Sequence, residues 1–365
     1  MHGSHVNKAE RKHAPVPASA SRNGVSPTAV KLARRLGLHY VSSDALSIRR
    51  RRRGKGWIYL APNGRIIRRR AVVRRLASLA VPPAYHDVLY AEDPTAHLQA
   101  IGRDDAGRLQ YRYHPDWEKV RETRKAGRLA RLADALPRIR RSAGQHLSGE
   151  EPTREFALAA VIELVASSAI RPGSESYTRQ HGSRGATTLL KSNVARDGEL
   201  IRLTFRGKGG KKVVKELAGP RICKAIEQLV KLPGRRLFQY RAEDGGLHSI
   251  KAQEVNEFLR EIAGVNISLK DFRTLMASAA VLETLAAEAP AKTERQRRKQ
   301  VLAAVRAAAE DLDNTPAICR RSYVHETVVE AFEDGALERF SQTLAACRSP
   351  TRRAQVLAQI IAAAA

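Results

Sequence analysis

The chain is short of sulfur and of aromatic rings. Its 365 residues include three cysteines, two methionines and two tryptophans. Cys223, Cys319 and Cys347 are odd in number and far apart, which excludes a disulfide framework and a paired-cysteine zinc site. There is no His-Glu-x-x-His motif for zinc either. No apolar run approaches the roughly 20 residues of a membrane span, and the N-terminus lacks the apolar core of a signal peptide, so a cytoplasmic protein is expected. The acidic pairs Asp311/Asp313 and Asp104/Asp105 read as a helix end and a turn, not as the carboxylate cluster that holds two catalytic metals. Gly207 to Lys212 lacks the Gly-Lys-Ser/Thr ending of a phosphate loop and precedes a strand. Nothing calls for a metal, ATP or a small-molecule cofactor.

Positive charge is what the chain has in excess. Lys and Arg number 65 against 37 Asp and Glu, a net charge of +28. Such a surface attracts polyanions, and nucleic acid fits better than acidic lipid, because no basic amphipathic helix stands apart from the fold. Arg49 to Arg53 are five consecutive arginines whose self-repulsion phosphates would screen, so Arg49, Arg50 and Arg51 are expected on DNA.

The pattern of elements predicts an α+β protein. Residues 1–44, rich in Ser, Ala, Pro and basic residues, read as a disordered basic arm. Residues 45–118 read as a small β-rich domain. Strands are expected over Trp57–Leu60 and Arg65–Ile67 around the Asn63-Gly64 turn, near Asp87–Ala91, over Leu98–Gly102 and over Arg108–Tyr113, with a helix over Val72–Leu79. Alternation in the last strand puts Gln110 on one face and Tyr111 and Tyr113 on the other. Residues 119–345 read as mainly helical. Leu129, Leu132, Leu136 and Ile139 make a helical stripe, as do Phe156, Ala160, Val161, Leu164 and Val165. Helices are also expected over Ser268–Leu282 and Thr293–Leu312, the second with a capping box from Thr293 to Gln296. Leu200–Phe205 and Lys212–Leu217 form a hairpin with Lys208 at its tip. Residues 346–365 read as a C-terminal tail.

The most informative stretch is Leu312 to Tyr323. Thr315-Pro316 is a helix start, with a hydroxyl cap and proline at the first helical position. Tyr323 ends the stretch beside Arg320, Arg321, Ser322 and His325, surroundings that suggest a phenol facing phosphate, although taken alone the stretch also fits an ordinary half-buried tyrosine. Phosphodiester cleavage needs charge on the non-bridging oxygens stabilised, a nucleophile in line, and a proton for the leaving oxygen. A tyrosine, with an unperturbed pKa of about 10, needs neighbouring cations to attack near neutral pH. Arg171, Arg273 and Lys208 are candidate cations, and Asn314 offers an uncharged hydrogen bond.

In order along the chain, these motifs resemble the small, poxvirus-like bacterial type IB DNA topoisomerases. The resemblance covers residues 45 to 345. In the first half it rests on Leu79-Ala-Val-Pro-Pro-Ala-Tyr85, Gln99-Ala-Ile-Gly-Arg-Asp-Asp-Ala-Gly-Arg108 and Gln110-Tyr-Arg-Tyr-His-Pro115. In the second it rests on Ile170-Arg-Pro-Gly-Ser-Glu-Ser-Tyr177, Gly182-Ser-Arg-Gly-Ala-Thr-Thr-Leu189, Phe205-Arg-Gly-Lys-Gly-Gly210, Lys270-Asp-Phe-Arg-Thr274 and Asn314 to Tyr323. It implies a clamp around duplex DNA, made of a β-rich N-terminal domain and a helical catalytic domain of the kind shared with tyrosine recombinases. It also implies that Tyr323 forms a 3′-phosphotyrosyl link, that Arg171 and Arg273 bind the scissile phosphate, and that Lys208 protonates the leaving 5′-oxygen. Asn314 would bond a phosphate oxygen, and Gln110, Tyr111 and Tyr113 would contact DNA. Supercoils of either sign would relax without ATP or metal, by a monomer working on the nucleoid.

Three positions depart from the family pattern. Asp313 stands where glycine is usual, Pro172 replaces a small aliphatic residue, and Leu275-Met276 replaces an aromatic stretch. A tyrosine recombinase would share the nucleophile, but generally carries a helical first domain and a His-x-x-Arg motif that this sequence lacks. A basic protein that clamps duplex without cutting it would share the charge, and only the catalytic residues separate the two.

Overall fold

The computed structural model describes residues 27–347 and 349–363. The chain divides into two compact units, Met1–Arg124 and Lys125–Ala365, with the boundary inside one long helix.

The first unit is built on a five-stranded antiparallel sheet, in the order β2-β1-β3-β4-β5. Its strands are β1 (Ile48–Arg53), β2 (Gly56–Leu60), β3 (His86–Tyr90), β4 (Leu98–Arg103) and β5 (Leu109–Tyr113). Helix α2 (Arg70–Ser78) buries Leu76 in one sheet core with Ile48, Tyr59, Val88, Tyr90 and Ala100. Leu46, Ala91, Ala96, Leu98 and Ile101 form a second core.

Two expectations for this unit are corrected. The arginine run is itself a strand, so the hairpin turns at Gly54-Lys55, and Arg53 faces Gly56. The Asn63-Gly64 turn is present, but residues 65–67 contribute only a bridge from Leu60 to Ile66. The expected arm is also too long. Its residues 1–26 lie outside the described residues, but α1 (Pro27–Arg35) is a helix. Ala29 and Ala33, one turn apart, pack with Leu38 against Trp117 and Val120. A short apolar stripe in a basic segment suffices once a tryptophan covers it.

The second unit is mainly helical, as its stripes predict. Helix α3 (Trp117–His146) carries the buried Leu129, Leu132, Leu136 and Ile139. Helix α4 (Arg154–Ser168), capped by the Thr153 hydroxyl, is buried almost all round, from Phe156 to Ile162 and at Leu164 and Val165. Two short helices and a small sheet follow: α5 (Glu175–His181), a sheet of β6 (Val194–Asp197), β7 (Leu200–Arg206) and β8 (Lys212–Leu217) in sequence order, then α6 (Pro220–Lys231). Strands β9 (Gln239–Arg241) and β10 (Leu247–Ser249) form a separate hairpin before α7 (Ala252–Ala263).

Helix α8 (Leu269–Ala286) begins in a capping box between Ser268 and Asp271. Helix α9 (Glu294–Asp311) starts at Thr293, whose hydroxyl accepts from the Gln296 N–H, and α10 (Pro316–Ser322) starts at Thr315 in the same way. Helices α11 (Glu326–Glu333), α12 (Glu338–Ala345) and α13 (Pro350–Ala363) complete the unit. Residues 350–363 are therefore not a loose tail, since Ala354, Val356, Leu357, Ile360 and Ile361 are buried in the main core. No helix among the described residues is long and apolar enough to cross a membrane.

Candidate active site

Tyr323 is the C-terminal cap of α10, and its N–H donates to the Cys319 carbonyl at 2.9 Å. From α8, the Ser278 hydroxyl donates to the Tyr323 carbonyl at 3.0 Å and accepts the His325 N–H at 3.0 Å. Lys125 on α3 donates to the Val324 carbonyl at 2.6 Å. The backbone around the phenol is thus tied to two other helices.

Arg273 is the cation closest to the ring. It projects from α8 and is 2% exposed, with its guanidinium carbon 4.9 Å from the Tyr323 ring centroid. One terminal nitrogen donates to the Ala169 carbonyl, and the other to the Leu312 carbonyl at 2.9 Å. Its Nε is buried without a hydrogen-bond partner. Burial pushes the Tyr323 phenol up, but Arg273, by charge and hydrogen bond, then Arg171 and Lys270 by charge, more than offset this and leave it below its usual value. Burial pulls Arg273 down, opposed chiefly by Tyr323. A buried cation beside a phenol is the electrostatic requirement for an aryloxide nucleophile.

Arg171 follows the left-handed cap of α4 at Ala169, φ 52°. It donates to the Asn314 side-chain oxygen across 143 positions of sequence. A guanidinium can only donate, so this contact fixes the amide with its oxygen toward Arg171. The Asn314 Nδ2 is left buried with no partner, a donor available to an incoming oxygen. Gly185 holds the Arg171 loop. A Cβ there would lie 2.4 Å from the Arg171 carbonyl and 2.5 Å from the Gly173 nitrogen. The Ala186 N–H donates to that same carbonyl at 2.8 Å. The Gly182–Leu189 motif is therefore a seat for Arg171, and only glycine permits the approach.

Asp313 has a left-handed backbone, φ 52°, which explains why glycine suits this position and why aspartate is tolerated there. Its carboxylate pairs with Lys215 of β8 at 3.0 Å, so its charge is neutralised beside Asn314. Lys215 also donates to the Asp311 carbonyl at 2.6 Å. Sequence reading missed Lys215. The alternation of β8 would have found it, since Val213, Lys215 and Leu217 share the inward face.

The structure thus brings together Tyr323, Arg273, Arg171 and Asn314. It does not bring Lys208 to them. Lys208 lies exposed in the turn Lys208–Gly210, and its side chain makes no hydrogen bond or ion pair. Two of the cations expected from the neighbours of Tyr323 are also engaged elsewhere. Arg320 pairs with Glu326, and His325 is buried, accepting the Thr327 N–H as the cap of α11. The charge on the phenol comes from α8 and the Arg171 loop instead. Among the described residues, no three His, Cys, Asp or Glu side chains gather as a metal site.

In the first unit, Tyr111 and Tyr113 of β5 stack with centroids 6.1 Å apart and are each 41% exposed. The Gln110 amide donates to Asp104 at 2.9 Å. Arg49 and Arg51 are exposed, but Arg50 differs from its expected role. Its guanidinium donates to the Val81, Pro82 and Tyr85 carbonyls and stacks 4.1 Å from the Trp57 ring centroid. It holds the fold and has little left for phosphate.

Comparison with known proteins identifies the family. Residues 114–349 match the family described as eukaryotic DNA topoisomerase I, catalytic core. Residues 56–104 match the N-terminal domain of bacterial DNA topoisomerase IB. The chain is 29% identical over 269 residues to DNA topoisomerase 1B of Acanthamoeba polyphaga mimivirus, covering 72% of this chain and 80% of the relative. It is 22% identical over 244 residues to DNA topoisomerase 1B of vaccinia virus, covering 67% of this chain and 75% of that protein. With the catalytic-core model matching well over half its length, the chain belongs to the type IB DNA topoisomerases.

Proposed function

We propose that the protein relaxes positively and negatively supercoiled duplex DNA by nicking one strand through Tyr323, letting the free end rotate, and resealing it. The observation that carries this is the grouping of the Tyr323 phenol, the Arg273 and Arg171 guanidiniums and the unpartnered Asn314 amide, drawn from α10, α8, the loop after α4 and the turn before α10. In the cleavage step the Tyr323 oxygen bonds to phosphorus, its proton passes to solvent, and the bond to the 5′-oxygen breaks. The two guanidiniums and the Asn314 N–H stabilise the charge that builds on the non-bridging oxygens. Lys208, carried in on its hairpin, gives the leaving oxygen a proton. The phosphotyrosyl ester conserves the bond energy, so resealing needs no ATP. Gln110, Tyr111, Tyr113, Arg49 and Arg51 hold the duplex, and the enzyme acts as a monomer on nucleoid DNA.

Plasmid relaxation tests this. Wild-type protein should relax supercoiled plasmid in EDTA without ATP, while Tyr323→Phe binds the plasmid and leaves it supercoiled. Relaxation by Tyr323→Phe would remove the phenol from its role, and a strict need for magnesium would count against the metal-free reading.

A further inference from the structure

Lys215 is out of place for an ordinary strand lysine. It occupies the inward face of β8 between the buried Val213 and Leu217, opposite Leu203 of β7, and its side chain is only 15% exposed. Its ammonium grips one turn at two points, the Asp313 carboxylate at 3.0 Å and the Asp311 carbonyl at 2.6 Å. That turn serves the whole site. Within residues 311–314, the Leu312 carbonyl accepts from Arg273 and the Asn314 side chain accepts from Arg171. Four consecutive residues therefore each meet a cation, and Lys215 is the only one of the three cations that lies on the Lys208 hairpin.

We infer that Lys215 and Asp313 form a latch that positions Lys208 for proton delivery, by fastening its hairpin to the turn that presents Asn314. This rests on the proposed nicking reaction and specifies how its acid is placed. The ladder from Leu203↔Lys215 through Thr204↔Val214 to Arg206↔Lys212 is continuous. The Gly207 N–H donates to the Lys211 carbonyl at 2.7 Å, so Lys208 stands one residue beyond a closed hairpin end. A tether on Lys215 thus restrains the tip, where Lys208 itself has no partner. Lys215 and Asp313 are positioning residues, and their effect passes through the acid. A loosened hairpin would deliver the Lys208 proton less often, while the phenol and its guanidiniums stay as they are.

Leaving-group chemistry separates this from a merely structural role. Breaking the phosphorus–oxygen bond requires a proton for the 5′-oxygen, whereas a 5′-thiolate departs without one. The test measures single-turnover covalent adduct formation on a duplex with either a 5′-oxygen or a bridging 5′-sulfur at the nick site. The variants are Lys215→Gln, Asp313→Asn and Asp313→Gly, the last well suited to the left-handed backbone, with folding checked by thermal melting. Each variant should cleave the oxygen substrate about 10-fold or more slowly and the sulfur substrate within about 2-fold of wild type. Equal losses on both substrates, or no loss on either, would overturn the latch. Failure of the wild type to form a Tyr323 adduct on either substrate is a different result. It would remove the nicking reaction itself, and the latch with it.

Discussion

The Arg273 guanidinium lies 4.9 Å from the centre of the Tyr323 ring, close enough to bias the phenol but held by two main-chain carbonyls rather than by an acid. That choice of partner matters. A carboxylate would cancel the guanidinium's charge, whereas the Ala169 and Leu312 carbonyls orient it and leave the charge available. The same two contacts join the end of α4 to the turn before α10, so one side chain orders the site and polarises it.

The pH dependence of cleavage should show this polarisation. Burial raises the phenol pKa, and Arg273, Arg171 and Lys270 lower it further than burial raises it. Single-turnover cleavage should therefore rise with pH around a midpoint below that of free tyrosine. Lys270 is exposed on the first turn of α8, so replacing it should disturb little else. In Lys270→Gln the midpoint should move to higher pH by about a few tenths of a unit, with a smaller shift at high salt. A midpoint unchanged or moved to lower pH would show that the Lys270 charge does not reach the phenol.

Gly185→Ala should impair cleavage without removing any charged group. The added methyl would lie within 2.4 Å of the Arg171 carbonyl and 2.5 Å of the Gly173 nitrogen, so the Arg171 loop must shift. A displacement of about 1 Å at a clamping residue can cost about 100-fold in rate. Adduct formation should fall by that order, while DNA binding, read by gel shift, stays near wild type. Unchanged cleavage would mean that the loop absorbs the methyl elsewhere.

The two halves of the site differed in how far they could be read from sequence. Tyr323, the Thr315 cap and the Asn314 amide lie within ten positions, and local rules of capping were enough to arrange them. What charges the phenol was not local. Arg320 and His325 looked like its partners, yet one pairs with Glu326 and the other caps α11. The true partners come from 50 and 152 positions away, distances that no periodicity encodes. Four of the five strands of the first unit were legible from their apolar runs, but β1 was hidden in the arginine run. Helix α1 was missed because three basic residues mask a stripe that only Trp117 and Val120 make worthwhile.

The arginine strand offers the sharpest separation of fold from binding. Arg50 and Arg51 are adjacent and chemically identical, but point to opposite faces of β1. Arg50 satisfies three carbonyls, at 2.9, 2.6 and 2.9 Å, and covers Trp57. Arg51 is exposed and makes no hydrogen bond or ion pair through its side chain. Arg50→Ala should lower the stability of the first unit by about 1–3 kcal/mol, since it strands three part-buried carbonyls and uncovers Trp57, and should leave the salt dependence of DNA binding nearly unchanged. Arg51→Ala should melt like wild type, but weaken binding uniformly across sequences and reduce the slope of log affinity against log salt by about one. Thermal melts and binding isotherms at several salt concentrations check both variants together. If Arg51→Ala left the slope intact, the exposed face of the hairpin would not be a phosphate contact, and the positive charge used for binding would have to lie on another surface.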